Sequence, residues 1–191
     1  MLSFLDSIGY GDWILHALIW LPLVGMALVL LGPAARAKHL AFGWSLVVLV
    51  LSLGLWWAFD AEVGTFQFFS SVPWIERWGV SYAVALDGIS LFMVILTAFT
   101  TSVAILGSFN YIKKYEKAFY ALMLLMETGV IGVFISVDLF LFYVFWEITL
   151  IPMYFIIGVW GGERRIYSAV KFFLFTAFGS LLMLVALLYL Y

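Results

Sequence analysis

The amino-acid sequence predicts an all-α membrane protein that crosses the bilayer about six times. Of its 191 residues, 66% are hydrophobic and only 10% are charged. A soluble domain carries about a quarter charged residues, so this chain cannot cover a folded surface with polar groups. This excludes a soluble globular protein, a disordered chain and a nucleic-acid binder. An outer-membrane barrel is also disfavoured, because its strands alternate polar and apolar residues and the apolar runs here are continuous.

The number of spans follows from the length of the apolar runs. A helix that crosses about 30 Å of hydrocarbon needs about 20 residues, and six runs reach that length. We predict helices near residues 13–32, 40–59, 88–110, 118–137, 138–160 and 168–191. Asp6 and Asp12 stand where a signal peptide would carry basic residues, so the first run is interpreted as a permanent span.

The segment 60–87 is the one long connection, and we predict that it forms a loop outside the membrane. It contains Pro73 and a mixed polar pattern. Within it, residues 80–86 are predicted to be extended and able to pair in a small hairpin. Asp87 and Asp138 directly precede apolar runs, where a carboxylate can accept hydrogen bonds from the free N–H groups of a helix start.

The charges predict the orientation in the membrane. With six spans, the connections 33–39, 110–117 and 161–171 lie on one side and hold eight of the nine Lys and Arg residues. The other side holds only Arg77 among the cations, and most of the acids. Because basic loops remain in the cytoplasm, we predict that these three loops are cytoplasmic and that the N-terminus is periplasmic in a bacterial inner membrane.

Cofactor binding by this chain is not expected. The sequence has no Cys, which excludes thiolate catalysis and Cys-ligated iron–sulfur or metal sites in these residues. The two histidines, His16 and His39, cannot form a metal site alone.

Two acids, Glu127 and Glu147, fall in the middle of apolar runs. Each lies nine residues into its run, about 14 Å from the helix end. An ionisable group at this depth costs several kcal/mol, so both are candidate functional residues. Counting from a turn near Val137 places the two carboxyls at the same depth. The spacing does not determine whether they face each other.

Glu147 has the surroundings of a proton carrier. Pro152 cannot donate a hydrogen bond to the carbonyl of Ile148, and Thr149 lies beside that free acceptor. Such a place can hold the water that a proton relay needs. The alternative is a hydrogen-bonded acid that fixes helix packing.

Two further residues have open roles. Glu127 either shares a proton or only bonds a neighbouring helix. Lys171, about one turn into the last run, either extends to the membrane interface or acts as a partner of Glu147.

Four stretches of the sequence carry a family resemblance: residues 84–91, 129–134, 139–155 and 171–176. The third is the longest and contains Phe-Trp-Glu-Ile-Thr-Leu-Ile-Pro. They resemble the antiporter-like M subunit family of respiratory complex I, which includes mitochondrial NADH dehydrogenase subunit 4. Glu147 matches the mid-membrane Glu of that family and Lys171 matches the Lys that opens the last stretch, whereas Glu127 matches no family-wide position.

The resemblance implies a fold of about 14 helices with two inverted repeats. Residues 1–117 would form an N-terminal three-helix region, with the outer loop at 60–87. Residues 118–191 would form the first three helices, numbers 4–6, of an incomplete antiporter-like repeat. The family's Glu pairs with a Lys on a broken seventh helix that this sequence lacks. We therefore expect the polypeptide to continue beyond Tyr191; the alternatives are a second chain that completes the repeat and a truncated product.

The implied activity is proton translocation within NADH:quinone oxidoreductase, driven by quinone reduction elsewhere in the complex. NADH, FMN, iron–sulfur clusters and quinone would be bound by other subunits. The expected partners are the other membrane subunits, especially neighbouring antiporter-like ones, and the lipid bilayer.

The sequence leaves two alternatives open. One is a subunit of a multisubunit cation/proton antiporter or membrane-bound hydrogenase, which dependence on NADH and quinone would distinguish. The other is a truncated, non-catalytic scaffold, which tolerance of both Glu127→Gln and Glu147→Gln would favour.

Overall fold

A computed structural model describes Ser7 and residues 9–190 of the chain, so Asp6 and Tyr191 lie outside the described residues. Six helices are long and apolar enough to cross a membrane, as predicted. They are α1 (Tyr10–Leu31), α2 (Ala37–Ala58), α3 (Gly88–Ser108), α4 (Glu116–Ile135), α5 (Leu139–Trp160) and α6 (Arg165–Leu190). Each predicted span overlaps one of these helices, which confirms the multi-pass fold class.

The outer loop folds into an antiparallel hairpin, formed by β1 (Gln67–Ile75) and β2 (Val80–Leu86). The extended segment predicted at residues 80–86 is therefore confirmed, and β1 is its partner. A short 3-10 turn, Glu76–Trp78, joins the strands and ends at Gly79 with φ 60°, a conformation that favours glycine.

Two predicted caps position the helices that follow the hairpin. Asp87 accepts a hydrogen bond from the Ser90 N–H at 2.6 Å, at the start of α3. Asp138 accepts from the N–H groups of Phe140 and Leu141 at 2.9 and 3.0 Å, at the start of α5. The second carboxyl oxygen of Asp138 accepts from the Ser81 N–H at 3.0 Å, so one side chain caps α5 and holds β2 against it.

Helix α4 is the centre of the bundle. It packs against α1, α2, α3 and α5, and most of its length is buried. Helix α6 is the least buried of the six. It packs mainly on α5 and exposes large apolar side chains such as Phe175 and Phe178. In the described chain, helices α1 to α5 therefore form a bundle with α4 at its centre, and α6 packs on the outside of this bundle against α5.

Candidate functional site

Glu147 lies in the middle of α5 and faces α6. The Ser180 hydroxyl of α6 donates a hydrogen bond to Oε1 of Glu147. Tyr143, one turn before Glu147 on α5, interacts with both side chains. Glu147 is half-buried, whereas Ser180 is buried. A carboxyl, a hydroxyl and a phenol thus meet near mid-helix, where each can give or take a proton.

The backbone around Glu147 has the free acceptor that the sequence predicts. Pro152 is buried inside α5, and the helix runs unbroken through it. Because proline has no N–H, the Ile148 carbonyl receives no bond from residue 152. The Thr149 hydroxyl donates to the Trp146 carbonyl at 2.7 Å, so it serves the helix backbone.

Lys171 lies in the first two turns of α6, whereas Ser180, which contacts Glu147, lies near the middle of that helix. Nine residues separate Lys171 from Ser180, which is about 14 Å along a helix. A second contact between the helices supports this register, because a Cβ built at Gly158 would lie 3.5 Å from the Ala169 Cβ. The Lys171 ammonium is exposed and stands 5.9 Å from the ring centroid of Tyr167. The structure therefore does not bring Lys171 to Glu147.

Glu127 occupies a different place in the bundle. It is 1% exposed, and neither of its carboxyl oxygens has a hydrogen-bond partner within the described residues. Its neighbour Thr128 donates to the Ile19 carbonyl at 3.2 Å, which ties α4 to α1.

The side of α4 that contacts α5 is not the side that carries Glu127. A Cβ built at Gly129 would lie 2.7 Å from Thr149 Cγ2, and one at Gly132 would overlap the Phe145 ring, so both glycines face α5. At about 100° per residue, Glu127 lies roughly 200° and 140° around α4 from these two positions. It points away from α5, and so away from Glu147.

The equal depth expected for the two acids is wrong by about one helical turn. The contacts Gly129–Thr149 and Gly132–Phe145 set the register of the two helices. In this register Glu127 and Glu147 are three to four residues apart, about 4.5–6 Å along the axis. The two glycines set this register, because α5 places its side chains where α4 has none. Counting residues from the turn could not include that effect.

Ser180 and Tyr143 are the site residues that sequence reasoning missed. In the sequence, Ser180 follows Gly179, and such a pair of small residues is typical of close helix approach. The available signal was a hydroxyl near the middle of a mostly apolar run. For Tyr143 the signal was its position one turn before Glu147, on the same helix face.

His16 takes part in a separate polar cluster at the hairpin. Its Nδ1 is 3.2 Å from the Tyr82 hydroxyl, and its Nε2 is 3.1 Å from the Ser70 hydroxyl. The imidazole therefore bridges α1 to both strands. Burial raises the pKa of the Tyr82 phenol, and a side-chain hydrogen bond with Trp20 opposes that shift. This cluster positions the outer loop and contains none of the residues around Glu147.

The chain is similar to known proteins both in sequence and in fold. Residues 136–191, which hold α5, α6 and the Glu147–Ser180 contact, match the family model described as "NADH:quinone oxidoreductase/Mrp antiporter, TM". The chain is 43% identical over 187 residues to NADH-quinone oxidoreductase subunit M of Rickettsia typhi. It is 41% identical over 181 residues to NADH-ubiquinone oxidoreductase chain 4 of Marchantia polymorpha.

A solved structure shows the same arrangement of helices. A chain of "Respiratory complex I from Thermus thermophilus with bound NADH" superposes with a TM-score of 0.79 and 33% identity. The match covers 91% of the present chain and 35% of that chain. For the Rickettsia and Marchantia relatives the match covers 93% of the present chain, and 38% and 37% of the respective relative, so the chain spans well under half of their length. The chain is thus homologous, over nearly all of its own length, to part of the subunit M and chain 4 proteins of NADH:quinone oxidoreductase.

Proposed function

We propose that this chain is part of a proton-translocating membrane subunit of NADH:quinone oxidoreductase, with Glu147 as a proton carrier. The observation that carries the proposal is the mid-helix carboxyl of Glu147, bonded by Ser180 within the segment that the family model matches. The likeness in sequence and fold to complex I proteins supports it.

The chemistry of the site suits reversible proton binding. A carboxyl away from water favours its neutral, protonated form, because the charged form loses its hydration. The Ser180 hydroxyl stabilises the ionised form by donating to Oε1. A carboxyl held in this way can bind a proton and release it.

We infer that the movement of a nearby positive charge makes Glu147 bind and release its proton. A cation approaching Glu147 favours the carboxylate and releases the proton, and its withdrawal allows reloading. Lys171 is about 14 Å away along α6, so we infer that the partner charge lies elsewhere in the protein or complex. Lys171 would then act near the cytoplasmic end of α6, separately from Glu147.

The redox chemistry is assigned to other subunits. NADH oxidation needs FMN, iron–sulfur clusters and quinone, and we infer that these groups are bound outside this chain. The other membrane subunits of the complex, including neighbouring antiporter-like ones, would contact its exposed apolar faces. In this assignment residues 1–117 form the N-terminal three-helix region and residues 118–191 begin the antiporter-like repeat.

The orientation of the chain follows from its charges. The loops that carry most of the Lys and Arg residues lie at the same end of the bundle, between α1 and α2, between α3 and α4, and between α5 and α6. The positive-inside rule supports a cytoplasmic position for this end in a bacterial inner membrane, and so a periplasmic hairpin and N-terminus.

A cation/proton antiporter subunit is the second candidate. The matched family model is described by both functions, and the Glu147 site would serve either one. The test is to tag the protein, purify it from native membranes in mild detergent, and assay NADH:quinone reductase in the eluate. Activity that quinone-site inhibitors block supports the first proposal. Co-elution of other membrane subunits without that activity would support the antiporter.

A further inference from the structure

Glu127 is a buried acid that the Glu147–Ser180 contact does not use. Neither of its oxygens is bonded within the described residues, although its side chain is 1% exposed. Burying an unpaired carboxylate costs several kcal/mol. Such a group binds a proton instead, and the resulting carboxylic acid then needs an acceptor for its O–H.

Helix α3 packs against the side of α4 from which Glu127 projects. The Ser108 hydroxyl of α3 lies 3.3 Å from the Tyr120 hydroxyl of α4, so Tyr120 points toward α3. Glu127 follows Tyr120 by seven residues, which is about two helical turns, and so it projects from the same face of α4. The glycines that meet α5 occupy the other side.

A seam of buried hydroxyls runs along α3 at the level of Glu127. Helices α3 and α4 are antiparallel, so seven residues back from Ser108 places Thr101 level with Glu127. Thr101 and Thr97, one turn further along α3, are both buried. The Thr97 hydroxyl donates to the Met93 carbonyl at 2.7 Å. The Thr97 O–H is therefore used as a donor, and the hydroxyl oxygen can accept a hydrogen bond from a neutral carboxylic acid or from a bridging water.

We propose that Glu127 is a second proton-binding site, held as a neutral carboxylic acid between α3 and α4 and reached from the Ser108–Tyr120 end of the hydroxyl seam. This site and Glu147 lie on opposite sides of α4. The inference therefore stands whether or not Glu147 carries protons.

The protonation state can be tested by infrared spectroscopy on the intact, membrane-embedded assembly. The C=O stretch of a protonated carboxyl is expected to disappear in Glu127→Gln and to persist in Glu147→Gln. Gln keeps the size of Glu and can both donate and accept, so we expect the variant to fold. Glu127→Asp is a second variant, which should shift the band rather than remove it. If no carboxylic acid band depends on residue 127, the proposal is overturned.

The route can be tested by transferring the same sample to D2O and following the shift of that band. We expect Tyr120→Phe and Thr101→Val to slow the exchange several-fold, because each removes one hydroxyl and little volume. Thr100→Val is the matched control, since Thr100 is exposed on α3 and donates to the Leu96 carbonyl at 2.8 Å. Exchange at the native rate in both test variants would overturn the route.

Discussion

The Ser180 hydroxyl donates a hydrogen bond to Oε1 of Glu147 and so joins the middle of α6 to the middle of α5. Nothing else in the described chain places a polar group of α6 against this acid. The bond has two consequences. It orients the carboxyl, and it stabilises the ionised form that exists after the proton has left.

Removing the hydroxyl as Ser180→Ala should slow proton transfer through Glu147 and leave the complex assembled. A hydrogen bond to a charged group contributes about 1.5–3 kcal/mol, so we expect at least a several-fold lower pumping rate. The measurement is proton uptake into vesicles during quinone reduction. Thr176→Val is a suitable control, because the Thr176 hydroxyl donates to the Phe172 carbonyl of its own helix, at 2.6 Å. Equal loss in both variants would speak against a specific role for Ser180.

Lys171→Gln should reduce pumping less than Glu147→Gln does. At about 14 Å along the helix, the Lys171 charge interacts with Glu147 only weakly across the helix pair. Parallel pumping assays of the two variants check this expectation. If Lys171→Gln abolishes pumping as fully as Glu147→Gln, the two groups are coupled more strongly than this geometry allows.

Gly132→Ala should destabilise the bundle, because the added methyl overlaps the Phe145 ring. Overpacking of this kind costs about 1–3 kcal/mol. The measurement is the thermal midpoint of the purified protein in detergent. Gly107→Ala is the matched control, since a Cβ there meets nothing within 4 Å and alanine favours the helix. A midpoint for Gly132→Ala at or above that of the control would contradict the packing described here.

Asp87→Ala should weaken the start of α3 by about 1 kcal/mol, the usual contribution of a helix cap. The hydrogen bond from the Ser90 backbone N–H holds the pKa of the Asp87 carboxyl below its usual value. The stabilisation due to ionisation is therefore complete at neutral pH. It is lost as the pH falls from about 4 through the lower pKa of the folded state.

Unfolding midpoints measured across this pH range check the effect. Asp87→Asn keeps a capping side chain without a charge, so its difference from the native protein should shrink as the pH falls. A difference that stays constant with pH would show that the charge of Asp87 contributes nothing.

The helices could be predicted from the sequence because bilayer thickness fixes their length. The caps at Asp87 and Asp138 could be predicted too, because capping depends on residues only two or three positions apart. Strand β2 was predicted from its own residues, whereas β1 carries Pro73 and a mixed pattern and was found only through its pairing with β2.

The arrangement of the site could not be predicted in the same way. The Glu147–Ser180 bond joins residues 33 positions apart, and its register depends on how α6 lies on α5. The depth of Glu127 relative to Glu147 depends on Gly129 and Gly132, which let α5 approach at one register. These are properties of tertiary packing, and a count of residues from a turn contains no information about them.

The most direct test of the central claim is proton pumping by Glu147→Gln in the assembled complex, with Glu163→Gln in the exposed loop after α5 as the control. Vesicles that contain each variant would be energised with NADH and quinone, and acidification and quinone reduction would be recorded together. The account predicts that Glu147→Gln assembles and loses most of its pumping, while the control pumps normally. Full pumping by Glu147→Gln would contradict the assignment of Glu147 as a proton carrier.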